Sequence, residues 1–152
     1  MEALDLANWR EPSTEWPLAT VLPDRETLEE LTEARGTVRR LLAASLASAP
    51  FGAADVEAVN AWAAGVPQYP ELDPDGGRVV VGRRLSPLAV ALAGVARSAI
   101  EILGTDLRER LAVCRAPGCG RYHLRGRAGQ VWCSAACGNR ARVARHYRRS
   151  RI

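Results

Sequence analysis

Lysine is absent from the chain, and so is any long uninterrupted apolar run. All 21 basic residues are therefore arginines, whose guanidinium group suits phosphate and guanine, although a preference for arginine alone is weak evidence of phosphate binding. The longest apolar stretch, residues 88–103, is interrupted by Arg97 and Glu101 and is too short for a bilayer span, so we expect a core helix. The first residues also lack a basic segment followed by an apolar run, so we expect a cytoplasmic protein.

Acidic residues are missing from the C-terminal quarter of the chain, and the net charge of +4 conceals this asymmetry. Residues 114–152 contain ten arginines and no Asp or Glu, whereas residues 1–113 contain eleven arginines and 17 acidic residues, a balance of −6. The asymmetry predicts a polyanionic partner for the C-terminal segment. A solvated basic face, or one that docks on the acidic part of the same chain, is the alternative.

Cysteine occurs only four times, as Cys114-x4-Cys119, a gap of 13 residues, and Cys133-x3-Cys137. Two close pairs separated by the length of a hairpin are typical of a four-thiolate zinc site, and their clustering in one stretch disfavours disulfides. We therefore predict one structural Zn²⁺ held by these four cysteines. Because protein ligands fill all four positions, a catalytic zinc is disfavoured.

This stretch has two rival interpretations. His123 could replace one of the cysteines, but it is expected to be a half-exposed strand residue beside Tyr122. A zinc deaminase would need a His-x-Glu and a Pro-Cys-x-x-Cys motif, and both are missing from the sequence. We predict that the protein is not an enzyme.

Residues 1–104 are predicted to form a mainly helical α+β domain with a small β-hairpin. One amphipathic helix follows the N-cap Asp24 and ends near residue 47, and a second covers residues 54–64. Residues 73–77 supply the turn of the hairpin. A third helix starts at Ser86 and ends at Gly104, and its apolar surface predicts burial on all sides. Residues 4–9 are either a short strand or a docked turn.

Residues 105–152 are predicted to form a treble-clef-like zinc-binding module. A strand ending at residue 113 leads into the first cysteine pair, residues 122–124 form a strand that leaves it, and residues 130–132 return to the second pair. Ser134 is then the N-cap of a helix whose first turn contains Cys137.

The last helix carries the candidate nucleic-acid contacts. Arg142, Arg145 and Arg149 line up at i, i+3 and i+7 on one side, which suits a DNA major groove or a phosphate backbone. Val143 and Tyr147, with Arg140 one turn earlier, are expected to face the hairpin of the module. The predicted nucleic-acid-binding residues are Arg140, Arg142, Arg145, Arg148 and Arg149.

The segments Trp132-Cys133-Ser134 and Cys137-Gly138-Asn139-Arg140 resemble the CGNR zinc finger, which in bacterial proteins follows an N-terminal domain called ABATE. Residues 4–8, Leu-Asp-Leu-Ala-Asn, resemble the early Leu-Asp-x-x-Asn element of that domain. The resemblance implies a stress-induced transcription regulator with a regulatory or sensing N-terminal domain and a DNA-binding C-terminal module, and it implies no enzyme. Residues 122–127 depart from the family, which has an aromatic residue, an Asp and a Ser/Thr-Arg segment there.

A second class of function stays open at this point. The zinc module could instead fix a surface for a protein partner, such as a component of the transcription machinery, without direct DNA contact.

Overall fold

A computed structural model describes residues 3–8, 24–82 and 86–150 of the chain. The elements in order are α1 (Ala3–Asn8), α2 (Arg25–Leu46), α3 (Ala53–Ala64), β1 (Gln68–Leu72), β2 (Arg78–Gly82), α4 (Pro87–Gly104), α5 (Leu107–Arg110), β3 (Leu111–Val113), β4 (Tyr122–Leu124) and α6 (Ala135–Arg149). Strands β1 and β2 form one antiparallel hairpin, and β3 and β4 form another. The predicted fold class is confirmed: a mainly helical N-terminal region with a small hairpin, followed by a cysteine-rich module.

Side-chain caps start the long helices where the sequence predicts them. Asp24 Oδ1 accepts a hydrogen bond from the Thr27 N–H at 2.8 Å at the start of α2. Ser86 Oγ accepts one from the Ala89 N–H at 3.1 Å at the start of α4. Each cap satisfies a backbone donor that has no partner within the helix, which is why the starting residues can be located from sequence.

The turn between β1 and β2 is held by the side chain of Asp73. Its Oδ1 accepts hydrogen bonds from the Asp75 N–H at 2.9 Å and the Gly77 N–H at 2.6 Å. A Cβ at position 77 would lie 2.5 Å from Asp73 Oδ2, so a larger residue there would displace the carboxylate that holds the turn. The Asp- and Gly-rich sequence therefore forms the predicted hairpin.

Helices α4 and α2 each supply five residues to the buried core of the N-terminal region. The α4 residues Leu92, Val95, Ala96, Ala99 and Ile102 are buried in one cluster with residues of α1, α2 and α3. The expectation of burial on all sides is wrong, because Val90 and Ile100 are 45% and 42% exposed. Apolar residues surround more of α4 than the neighbouring elements cover.

The length of α4 also corrects the expectation that this stretch is too short for a membrane. The helix has 18 residues with a mean hydropathy of 1.5, which by length and composition alone would suffice to cross a bilayer. Core helices of folded domains pass the same test. In this helix 33% of the residues are buried, and its buried apolar residues pack against α1, α2 and α3.

The N-terminal segment that the sequence left undecided is a docked helix. Ala3, Leu6 and Ala7 of α1 are completely buried against the core, whereas residue 9 lies outside the described part of the chain. The short helix therefore contributes a full apolar side to the same cluster as α2 and α4.

The hairpin β3–β4 belongs to this core as well, although it carries the first cysteine pair. Leu111 of β3 and Tyr122 of β4 are buried in the cluster formed by the helices. Asn8, the last residue of α1, donates through Nδ2 to the Tyr122 carbonyl at 2.8 Å and accepts from the Tyr122 N–H through Oδ1 at 2.7 Å. One side-chain amide thus satisfies both backbone polar groups of Tyr122.

Arg39 of α2 strengthens the same junction. Its Nη1 donates to the Ala7 carbonyl at 2.7 Å, at the end of α1, and its guanidinium carbon lies 5.2 Å from the centre of the Tyr122 ring. The distance to the ring is typical of a cation–π contact. These contacts join α1, α2 and β4. The cysteine-rich module is therefore packed against the helices.

Substitution of Asn8 by Ala should weaken this junction. The change leaves the part-buried N–H and carbonyl of Tyr122 without their partner, so we expect the free energy of unfolding to fall by about 2 kcal/mol. Urea unfolding followed by circular dichroism would measure it.

Asn60→Ala is the matched control, because Asn60 is an exposed residue of helix α3. We expect its unfolding midpoint to stay close to that of the unchanged protein. Equal stability of the two variants would show that the Asn8 amide does not hold the module to the helices.

Candidate metal centre and basic helix

The sulfur atoms of the four cysteines lie together in a small cluster. All four Sγ atoms are within 4.8 Å of one another. Cys133 and Cys137 are 3.6 Å apart, Cys119 and Cys137 3.7 Å, and Cys119 and Cys133 3.8 Å, measured between sulfurs. A tetrahedral metal with Zn–S bonds of ~2.3 Å requires sulfurs about 3.8 Å apart, whereas a disulfide needs ~2.05 Å. The cluster fits a four-coordinate metal ion and contains no disulfide.

The first cysteine pair is positioned by β3 and β4. Cys114 follows β3 and Arg121 precedes β4, and the Cys114 N–H donates to the Arg121 carbonyl at 2.8 Å. The Cys119 N–H donates to the Ala116 carbonyl at 3.0 Å. The chain turns back toward the sulfurs between these bonds.

Glycine permits this turn on both sides of Cys119. Gly118 and Gly120 have φ angles of +70° and +66°, in the left-handed region that other residues rarely adopt. Residues with a side chain would be strained at both positions.

The second pair is positioned by the start of α6. Ser134 is the N-cap, and its Oγ accepts from the Cys137 N–H at 3.2 Å, so Cys137 lies in the first turn as predicted. Residues 130–132 return to the second pair as predicted, and they do so without forming a strand. A single bond from the Arg115 N–H to the Val131 carbonyl, at 3.1 Å, holds this segment beside the first pair, and one bond does not make a strand.

The thiols of the cluster differ in acidity. Burial alone would raise the pKa of Cys114, but hydrogen bonds from the backbone of Cys133 and Ala116 and from neighbouring thiols lower it to about 7. Burial and then the thiols of Cys137, Cys114 and Cys119 raise the pKa of Cys133 to about 12. A metal ion must displace the protons of such thiols, so metal affinity is expected to fall as the pH is lowered.

Arg140 contacts the sulfur cluster. Its Nη2 lies 3.7 Å from Cys137 Sγ, and its Nη1 donates to the Pro117 carbonyl at 3.3 Å. Four thiolates around a divalent ion carry a net charge of about −2, which a neighbouring guanidinium offsets. The structure therefore places the guanidinium of this predicted nucleic-acid residue beside the metal site.

His123 does not join the cluster. Among the described residues the group that could hold a metal consists of the four cysteines. The expectation that His123 is half-exposed is wrong, because it is only 7% exposed, and neither ring nitrogen has a hydrogen-bond partner within the described part of the chain. It lies on β4 between Tyr122 and Leu124, which pack into the helical core.

Helix α6 packs through its smallest residues. Cys137, Gly138 and Ala141 are buried, whereas Val143 and Tyr147 are 46% and 68% exposed. The expectation that Val143 and Tyr147 face the hairpin is therefore wrong. Glycine at position 138 lets Trp132 pack directly on the helix, because a Cβ there would lie 3.3 Å from its ring.

The remaining arginines of α6 are accessible. Arg142, Arg145, Arg148 and Arg149 are exposed, and no acidic side chain in the described ranges forms an ion pair with them. The two ion pairs found there join Arg25 to Glu29 and Arg40 to Asp55. Docking of the basic helix on the acidic part of the chain is thus not seen among the residues that the structure describes.

Beside this helix lies an open depression that we call the basic groove. It has a volume of about 760 Å³ and runs between residues 127–132 and the first turns of α6. Arg127 of the loop and Arg142 of α6 both line it, and so does Trp132.

Sequence reasoning missed three residues that shape this region. Asn8 was noted only as part of a resemblance, although it fixes β4. Gln130 and Gly138 were not singled out for the groove that they border. The family motifs that contain Asn8 and Gly138 were the available signal, but a motif does not say what a residue contacts.

Comparison with known families supports the resemblance. A model of the ABATE family, described as "putative stress-induced transcription regulator", matches residues 3–106, and a model of the CGNR zinc finger matches residues 110–150. A search of the curated proteins found no match. The first family model alone covers more than two thirds of the chain.

Titration of the metal-free protein with Co²⁺ should produce the visible absorption of tetrahedral thiolate coordination and saturate at one equivalent. The reason is the single tetrahedral arrangement of four sulfurs. The helical circular dichroism of α6 should recover in parallel, because Cys137 lies in its first turn.

Cys137→Ser should lose this absorption or bind the ion far more weakly. Ser134→Ala is the control, since it removes only the N-cap; it should lower stability by about 1 kcal/mol and still bind one ion. Saturation at two equivalents, or an unchanged spectrum in Cys137→Ser, would contradict the assignment.

Proposed function

We propose, because the chain belongs to the ABATE family and carries a CGNR zinc finger, that it is a transcription regulator whose C-terminal module binds duplex DNA. The observation that carries the proposal is an arginine ridge on α6, formed by Arg142, Arg145 and Arg149. All three are exposed, they recur at the spacing of one helix side, and no acidic residue follows Glu109 in the chain. Such a surface repels itself unless an anion is bound.

Zinc is the metal that the four-thiolate site fits best. Soft thiolate ligands and tetrahedral geometry favour it, and its role is structural because no position is left for substrate. A structural zinc contributes roughly 10–16 kcal/mol of apparent free energy to a small module. Through Cys137 the ion fixes the start of α6 and hence the direction of the arginine ridge.

The arginines divide into two roles under this proposal. The ridge residues Arg142, Arg145 and Arg149 contact phosphates or bases, and Arg148 is the next candidate. Arg140 acts at the sulfur cluster, where its charge offsets that of the thiolates. It supports DNA binding by holding the ligands, and any direct contact with DNA is secondary.

The helical N-terminal region is the regulatory domain under this proposal. Helices α1 and α2 hold β4 through Asn8 and Arg39. A ligand or partner that shifts these helices would therefore also displace the β3–β4 hairpin, which leads into Cys114. A reducing cytoplasm, in which free thiols persist, is the compartment that suits the metal site. We assign no catalytic role to the chain.

A protein-interaction module is the second candidate function. The exposed Val143 and Tyr147, on the side of α6 opposite the arginine ridge, are the observation in its favour. A complex with a component of the transcription machinery that survives nuclease treatment would support it over DNA binding.

DNA binding should depend steeply on salt. If about four to six phosphates are neutralised, the slope of log K against log[salt] is about −4 to −5. Arg145→Ala/Arg149→Ala should reduce the affinity by at least about tenfold and the magnitude of the slope by about 2. Fluorescence anisotropy with a labelled duplex at several salt concentrations would measure both.

Arg25→Ala/Arg78→Ala removes the same charge from exposed positions of the N-terminal region and is the matched control. Its affinity should stay within about twofold of the unchanged protein. A flat salt response, or equal effects of the two double variants, would argue against α6 as the DNA-binding element.

A further inference from the structure

The loop that forms one wall of the basic groove is held rigidly by Gln130. Its Oε1 accepts from the Gly126 N–H at 2.9 Å, and its Nε2 donates to the Trp132 carbonyl at 3.0 Å. The Gln130 N–H also donates to the Arg127 carbonyl at 3.3 Å. These bonds close the loop around one side chain, so Arg127 projects from a wall of fixed shape.

The opposite wall is the first part of α6, where the missing side chain of Gly138 leaves space. A Cβ at this position would lie 3.3 Å from Cε3 of Trp132 and 3.8 Å from Nη1 of Arg142. The indole ring of Trp132 and the guanidinium of Arg142 therefore both lie beside Gly138. An apolar ring and a cation are thus neighbours in the lining of the groove.

The charge of the groove has one sign. Arg127 and Arg142 both line it, both are exposed, and none of its lining residues is acidic. The positive end of the α6 dipole points toward the same space, beside Ser134. Two guanidinium groups across an open groove are suited to hold one phosphate between them.

The groove also continues into the arginine ridge. Gly138, Arg142, Arg145 and Arg149 follow one another at four, three and four residues, which keeps them on one side of α6. From Gly138 to Arg149 the helix rises by about 16 Å. An extended anionic chain that enters the groove can therefore continue along the ridge and stay beside arginine side chains throughout.

We propose that the basic groove holds a phosphodiester of one DNA strand, bound between Arg127 and Arg142, and that this strand continues along Arg145 and Arg149. The inference rests on the proposed DNA-binding function and adds a second element, the loop of residues 126–132, to a surface so far confined to one helix. Trp132 forms the apolar part of the lining, against which the sugar adjoining the phosphate packs.

Two variants of the loop test the proposal with the full chain. Arg127→Ala removes one phosphate contact, so affinity should fall about tenfold, with the magnitude of the salt slope lower by about 1, on each of two duplexes of unrelated sequence. Gln130→Ala changes no charge but frees the wall that carries Arg127, and affinity should again fall several-fold on both duplexes. Both variants should still bind one equivalent of Co²⁺.

Arg115→Ala is the matched control, since Arg115 is an exposed arginine of the same module that does not line the groove. It should change affinity by less than about twofold. Arg127→Ala and Gln130→Ala variants that bind as tightly as Arg115→Ala would overturn the proposal. If Arg145→Ala/Arg149→Ala still weakened binding, the proposed DNA-binding function would survive that result.

The remaining outcomes are also decisive. A loss in Arg127→Ala that is confined to one of the two duplexes would assign the groove to a base and overturn the phosphodiester. Absence of DNA binding by the unchanged, metal-loaded protein would overturn the proposed function and the groove with it.

Discussion

The tetrahedral cluster of four cysteine sulfurs is the constraint on which the rest of the C-terminal module depends. The module has little apolar core of its own: Cys114, Ala116, Cys119 and Cys137 are its buried cluster, with Trp132 packed beside it. Cross-links through a metal therefore replace the burial that larger domains use. Because one ligand lies in the first turn of α6, the same site that stabilises the module also sets the direction of its most basic helix.

The second constraint is the junction between this module and the helices. A hairpin that leads to the metal ligands has its apolar side in the core of the N-terminal region, and Asn8 satisfies the backbone of Tyr122. Loss of metal and loosening of the helices are consequently linked, since each weakens the hairpin that they share. Through the shared hairpin, a change in the N-terminal region can alter the position of the arginine ridge. The exposed arginines by themselves would provide no such coupling.

Features set by local chemistry could be predicted from the sequence. The caps Asp24, Ser86 and Ser134, the turn at Asp73 and the spacing of the cysteines each rest on groups close together in the chain. Features set by tertiary packing could not. Val143 and Tyr147 have the periodicity of a buried helix side, but α6 buries Cys137, Gly138 and Ala141 instead and leaves these two residues exposed. The contact of Asn8 spans 114 residues of sequence, and a side-chain amide has no pattern that reveals so distant a partner.

The central claim is that the metal positions the arginines of α6 for DNA. The most direct measurement compares the DNA affinity of the full-length protein after metal removal with that of the same sample after one equivalent of Zn²⁺ is returned, at constant salt. The account predicts weak binding without metal and recovery by at least about tenfold that saturates at one equivalent. Equal affinity with and without zinc would contradict it, because the arginines would then bind DNA whatever the fold of the module.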